Sequence, residues 1–292
     1  MIIVLIVLVI LLVIVKKSNG VSPEDQEYSI STVSIFDLPP FFVGSIHKEW
    51  ILKQEMDVLN VAQRALQTKR NNCFMIDVGM NDGFFTQVAG AYGCHTYSFE
   101  LQLACIDIAR TAIEANNFTH LITIIRSPVS DLHQQTYLLG HGDISSTSRC
   151  DGGFSVSGRE PEKKAHKPFQ VIGHHKLHTV ALDSIVPPKV IVDYLKIDCE
   201  GYDMKVIAGA DQLFREKRIA RASIEIKDDL WPETDLKSKD FHAWVNNSII
   251  PYQKLFSYGY QFKCVNQRGT VLFERWREIV LSGKCTDWEI YI

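Results

Sequence analysis

Four places in the sequence combine residue types and spacings able to do chemistry. Asp77-Val78-Gly79-Met80-Asn81-Asp82-Gly83 closes an apolar run with an acid, then spaces glycines and an asparagine as D-x-G-x-N-x-G. Gly79 and Gly83 let the backbone turn tightly and approach a ligand, and Asn81 tolerates left-handed torsions while offering a hydrogen-bonding amide. Phe99-Glu100 ends the next apolar run, where a carboxylate can accept the hydroxyls of a ribose. Asp198 and Glu200 follow the run Tyr194-Leu195-Lys196-Ile197, and Glu225 follows Ser223-Ile224. Acids in such positions suit a general base or the attraction of a cation.

What is missing narrows the ligand. The loop lacks the GxGxxG spacing of a dinucleotide site, and no GxxxxGK[ST] occurs, so pyrophosphate-binding and phosphotransfer chemistry are disfavoured. A glycine loop plus a ribose acid without phosphate machinery suggests a nucleoside cofactor lacking a polyphosphate, of which S-adenosylmethionine is the common one. Taken alone, the loop also reads as a plain turn before a helix. The alternative for Asp198 and Glu200 is an ion pair with Lys196 or Lys205.

The elements that must position these residues alternate. Cys73 to Val78 reads as a strand, Phe84 to Tyr92 as a helix, Thr96 to Phe99 as a strand and Leu101 to Ala115 as a helix. Leu121 to Ile125 and Ile191 to Ile197 read as strands, Asp203 to Lys217 as a helix, and Ala222 to Ile226 as a strand. Phe241 to Phe256 is mostly helical with Pro251 interrupting. Tyr260 to Val265 and Thr270 to Phe273 predict a terminal antiparallel hairpin. Between them, Gly140 to Pro168 is a long Gly-, Ser-, Lys- and His-rich insertion. The order implies an α/β fold, a doubly wound and mainly parallel sheet with ligands at the carboxyl ends of its strands.

A second block adds specificity. Leu182-Asp183-Ser184-Ile185 precedes Leu195-Lys196-Ile197-Asp198-Cys199-Glu200-Gly201-Tyr202-Asp203, followed by Val206-Ile207-Ala208-Gly209-Ala210. With the D-x-G-x-N-x-G loop, this resembles the FkbM family of S-adenosylmethionine-dependent methyltransferases from about Cys73 to Glu225. Met80, where alanine is usual, and the long insertion are departures. The resemblance implies a Rossmann-like class I methyltransferase fold. It implies that Asp77, Gly79, Asn81 and Gly83 line the methionine part of the cofactor and that Glu100 holds the ribose. Ser127 and Asp131 would lie on the adenine side, and Asp198 and Glu200 would face the transferred methyl. Asp198 is the first candidate base, Glu200 the second and Glu225 the third. The implied activity is O-methyl transfer to a hydroxyl of a glycan, lipid or small molecule. The rival is a membrane-tethered binding protein that keeps the fold without catalysis.

Composition sets the outer bounds. Hydrophobic residues at 46% and charged residues at 22% are ordinary for a globular chain, and the net charge of −3 gives no global pull toward nucleic acid. Seven cysteines without a CxxC pair are too few for a disulfide scaffold and exclude zinc-ribbon and thioredoxin patterns. Ile2 to Val15 is unbroken Ile, Val and Leu closed by Lys16-Lys17, which reads as a membrane anchor in residues 1–17. Residues 18–70 then form a stem and an N-terminal helix, and 71–292 the catalytic domain. The Lys pair favours a cytosolic domain, whereas sequons at Asn117 and Asn246 favour an endomembrane lumen, the preferred side. His174-His175-x-x-His178 and Asp228-Asp229 are minor metal candidates, and no metal is expected. Lys163, Lys164, His166 and Lys167 form a basic cluster in the insertion.

Overall fold

A computed structural model describes residues 29–139, 150, 175–199, 202–226, 249–267, 269–281 and 284–292. The anchor run, Glu200, Asp228-Asp229, His174, the basic cluster and the Asn246 sequon lie outside these residues. Among those described, no helix is long and apolar enough to cross a membrane.

The segment expected to be a stem folds from residue 30 onward. β1 (Ile30–Val33) and β2 (Phe41–Gly44) pair antiparallel, Val33 opposite Phe41. Val33, Ile35, Leu38, Phe41 and Val43 are buried in a core shared with the helices that follow. Those helices are α1 (Lys48–Gln54) and α2 (Met56–Leu66), separated at Glu55. The apolar stripe Val58, Leu59, Val61, Ala62 and Leu66 turns α2 inward.

The alternation then runs as read from the sequence: β3 (Phe74–Val78), α3 (Phe84–Ala91), β4 (His95–Phe99), α4 (Leu103–Ala115) and β5 (Ile122–Ile125). β6 (Thr136–Leu139) and β7 (His175–His178), which the sequence did not announce, pair antiparallel on either side of the insertion. After α5 (Leu182–Ile185) come β8 (Tyr194–Ile197), α6 (Asp203–Ala208), α7 (Asp211–Arg215) and β9 (Arg221–Glu225). The single helix expected over 203–217 is thus two. Gly209 lies at the break because a Cβ there would stand 2.1 Å from the Ser130 carbonyl oxygen.

The terminal hairpin differs from expectation. β10 (Gln261–Cys264) pairs not with Thr270–Phe273 but with β11 (Asp287–Tyr291), and α8 (Phe273–Leu281) lies between them. Thr270–Phe273 contributes a lone bridge, Phe262 to Val271; Leu272 is 78% exposed, while Val271 and Phe273 pack against the core beside the start of α8. Trp288 and Ile290 are fully buried, and Trp276 of α8 packs against Trp288. Pro251 does not interrupt: residues 249–257 are helical through it.

Seven strands form the central sheet in the order β10-β11-β9-β8-β3-β4-β5. β9, β8, β3, β4 and β5 run parallel, and β11 and β10 complete the edge antiparallel. One core, with α2, α3 and the hairpin, covers the face bearing Met75 and Tyr194; a second, with α6, α7 and α8, covers the face bearing Ile76 and Leu195. Six of the seven cysteines pair, which the sequence reading did not anticipate: Cys73–Cys94, Cys105–Cys150 and Cys264–Cys285. Spacing alone does not reveal such pairs.

If the β1–β2 hairpin belongs to the core, Phe41→Ala should lower the unfolding free energy by about 3–5 kcal/mol in a denaturant titration. A loss below about 0.5 kcal/mol would mean that the segment is a surface appendage.

Candidate functional site

Parallel pairing brings the carboxyl ends of β9, β8, β3, β4 and β5 side by side. From β3 the chain proceeds outward through β4 and β5 on one side, then returns to β8 and β9 on the other. That reversal makes the β3–β8 boundary the switch point of the sheet, where ligands bind in open α/β folds.

Asp77 and Lys196 are register partners across this boundary. Strand alternation turns both toward the face covered by α2 and α3. Lys196 is buried; its Nζ donates to Asp198 Oδ2 at 3.0 Å and to the Gly79 carbonyl at 3.4 Å, and lies 5.1 Å from the centre of the Phe85 ring. Burial disfavours its charge, yet Asp198, Asp77 and Glu55 outweigh burial and raise its pKa well above the ordinary lysine value. The ion-pair alternative for Asp198 is therefore realised with Lys196, while Lys205 bonds Asp131 at 3.1 Å instead.

Asp77 is fully buried. Its Oδ2 accepts from the Thr86 hydroxyl at 2.7 Å, and Thr86 Oγ1 also lies 2.7 Å from Ser98 Oγ. Asp77 Oδ1 has no hydrogen-bond partner. Burial pushes its pKa up to about 6, against Lys196 and the Thr86 hydrogen bond, which pull it down. The loop beyond turns on three left-handed residues, Gly79 (φ 81°), Asn81 (φ 55°) and Gly83 (φ 87°). Gly79 is required twice over, since a Cβ there would stand 1.8 Å from the Asp198 carbonyl oxygen. Gly83 opens α3.

Glu100 is buried at the end of β4, and its carboxylate knits the loop to the start of α4. Oε2 accepts the Asn81 N–H at 2.9 Å, and Oε1 accepts the N–H groups of Leu101 and Gln102 at 2.7 and 2.9 Å. Burial raises its pKa and these three donors oppose the shift. With one bond on Oε2, that oxygen keeps a lone pair for a further donor, whereas Oε1 already holds two.

Other candidates sit farther from this cluster. The Ser127 hydroxyl donates to the His178 carbonyl, tying the end of β5 to β7. Asp131 accepts from Ser130 and pairs with Lys205 of α6. Glu225 is half-buried at the end of β9, one strand beyond Asp198. Cys199 is the free cysteine; burial, then Asp203 and Asp198, push its thiol well up, so it stays protonated and weakly nucleophilic. Among the described residues no cluster of His, Cys, Asp and Glu could hold a metal ion.

Sequence reasoning missed two contributors. Thr86 was visible only as the residue that closes Gly83-Phe84-Phe85-Thr86. Asp82, fully buried in the loop, accepts the His47 N–H at 3.1 Å and faces His47 Nδ1 at 3.5 Å, a contact between segments far apart in sequence.

A methyl donor carrying an adenosine and a methionyl cation fits this set. Asp77 offers a buried oxygen without a partner, the glycines leave backbone uncovered, and Glu100 retains acceptor capacity. The carboxylates of Asp77, Glu100 and Asp198 outnumber the Lys196 ammonium, so the edge favours a positive ligand.

The raised pKa of Asp77 has a measurable consequence. Its stabilising contribution is fully present below the unfolded value near 3.8 and is lost as pH rises through about 6. The loss amounts to about 3 kcal/mol. Asp77→Asn should therefore show a flatter dependence of the denaturant midpoint between about pH 4 and pH 7 than the wild-type chain. Identical slopes would remove burial of this carboxylate as their source.

Residues 77–262 match the model of the methyltransferase FkbM domain. No curated protein matches the chain in sequence. Among solved structures, a METTL16 methyltransferase domain is similar at 11% identity and TM-score 0.38, over 82% of this chain and 67% of that one. The human methyltransferase 10 domain containing protein is similar at 12% and 0.36, over 90% and 88%. An O-methyltransferase from Bacillus cereus in complex with SAH is similar at 12% and 0.39, over 82% and 79%. Likenesses this distant say nothing about the acceptor. The match over 77–262, which takes in the glycine loop, Glu100 and the Asp198 strand end, is the finding that decides: the chain belongs to the FkbM methyltransferase family, and S-adenosylmethionine is its methyl donor.

Proposed function

We propose that this methyltransferase methylates a hydroxyl oxygen of a glycan, lipid or small molecule, with Asp198 as the base. The observation that carries the reading is the placement of Asp198 beside the glycine loop, with Oδ2 on Lys196 and its backbone carbonyl against Gly79.

When bound, the donor supplies an electrophilic methyl on a sulfonium. The chain must then hold the donor, align the acceptor and take up a proton. Asp77, Gly79, Asn81, Gly83 and Glu100 form the donor cradle. Alignment at near-attack distance is worth up to about 7–11 kcal/mol of the barrier. The acceptor hydroxyl loses its proton to a carboxylate as its oxygen is methylated, and Asp198 is the described candidate base adjoining the loop. Lys196, which donates to Asp198 and to the Gly79 carbonyl, holds that carboxylate in place. Glu225 ends β9, one strand away, and Glu200 follows Asp198 in sequence. Ser127 and Asp131 remain candidates for the adenine side, through the backbone their bonds hold in place.

Covalent chemistry supports a reading of the compartment. Three disulfides in one chain support an oxidising environment, hence an endomembrane lumen or beyond. Asn117, exposed in a left-handed turn after α4, carries a sequon available to lumenal glycosylation. The apolar run Ile2 to Val15 would tether the enzyme to the membrane, close to a lipid or glycan acceptor.

Asp198→Asn should keep S-adenosylhomocysteine affinity within about twofold by calorimetry and lose at least about 100-fold in labelled-methyl transfer to fractionated glycan and lipid acceptors. Turnover retained in that variant would eliminate Asp198 as the base. On the compartment, endoglycosidase should increase the gel mobility of the cell-expressed chain and leave Asn117→Gln unchanged or less shifted; a wild-type chain with no shift would argue against a glycosylated lumenal form.

A further inference from the structure

We propose that the Cys105–Cys150 disulfide is a positioning element of the methyl-donor site, holding Asn81 in the torsion that shapes the glycine loop. The proposal rests on the reading of that loop as the donor cradle.

The three disulfides do different things. Cys73 and Cys94 precede the paired strands β3 and β4, and Cys264 and Cys285 flank the β10–β11 pairing, so both join neighbouring strands at their ends. Cys105 and Cys150 join no strands. Cys105 lies in the first turn of α4, just after Glu100 and Gln102, and Cys150 comes from beyond β6. Both are buried, and Ala104, Ile108 and the half-buried Ile46 pack around them.

Against this disulfide rests the amide of Asn81. Its Oδ1 is 2.8 Å from Cys150 Sγ and 3.5 Å from Cys105 Sγ. Half-cystine sulfurs carry no proton, so they donate nothing; the amide is wedged against them by packing. The same oxygen accepts the Asp82 N–H at 2.8 Å, and the Asn81 N–H is held by Glu100. Asn81 is thereby fixed from three sides at φ 55°. Asparagine visits that torsion more readily than most residues but is not confined to it, so contacts on three sides select it. Without the disulfide one of those sides is lost. The loop then samples other shapes, and ordering it must be drawn from the binding free energy of the donor.

The test compares pairs within the full-length chain, with S-adenosylhomocysteine as the calorimetric probe. Cys105→Ala with Cys150→Ala should weaken its affinity about tenfold, whereas Cys73→Ala with Cys94→Ala, or Cys264→Ala with Cys285→Ala, should lower the thermal midpoint and leave affinity within about twofold. In an Asn81→Gly background, which keeps the torsion and removes the amide, loss of the disulfide should produce no further change in affinity. Should the alanine pair fail to fold, Cys105→Ser with Cys150→Ser, compared with the serine versions of the other two pairs, gives the same comparison. Unchanged affinity without the bond, or equal losses for all three pairs, would overturn the proposal. A wild-type chain that does not bind the probe would overturn the donor-cradle reading itself.

Discussion

Burial of the Lys196 ammonium between Asp77 and Asp198 is the constraint around which the site is arranged. Removing a cation from water costs several kcal/mol even after relaxation, and only well-placed counter-charges offset it. Lys196 has them on its own strand and on the neighbouring one, with a ring face above. The pairing also fixes register. A slip of one residue between β3 and β8 would turn Lys196 into the apolar core around Leu195 and Ile197 and strand Asp77 without a cation. With the register set, Gly79 must pass beside the Asp198 carbonyl, and no other residue fits there. The glycine of the donor loop and the candidate base are thus consequences of one strand alignment.

Covalent bonds stabilise this arrangement from outside. In the chain-entropy account, loops of the observed separations, 21, 45 and 21 residues, each contribute about 3–4 kcal/mol by restricting the unfolded chain. Two act on sheet ends remote from the donor loop, and the third borders it. Cys199 remains a thiol within the same molecule because burial and its acidic neighbours suppress the thiolate that would attack a disulfide.

Much of this was legible in the sequence. The positions of β3, α3, β4, α4, β8 and β9 follow from apolar runs and their punctuation, and the paired motifs around Asp77 and Asp198 announced the family. What escaped has physical reasons. The β1–β2 hairpin is short and its buried residues are interleaved with Pro39-Pro40, so its periodicity is weak; its place in the core comes from packing on α3 and α4. β11 was hidden because Trp288, Glu289 and Ile290 are all buried, and Glu289 is sustained by Arg64, Arg221 and Lys263, three cations spread across the chain. Disulfide partners and the Asp82–His47 contact likewise depend on tertiary approach. Lys196 was visible as a candidate partner for Asp198, but its place opposite Asp77 required the strand register.

The electrostatics of the edge also bear on why a sulfonium chemistry suits it. Asp77 and Glu100 are both raised by burial, so the edge holds carboxylates in an unfavourable environment. A positive ligand relieves that penalty and a neutral one does not, because attraction between opposite charges grows as water is displaced. Methyl transfer removes the sulfonium charge, so the same groups that attract the donor attract the spent cofactor less. On the proposed donor-cradle reading, the cost of burying these acids would help distinguish the charged reactant from its uncharged-sulfur product.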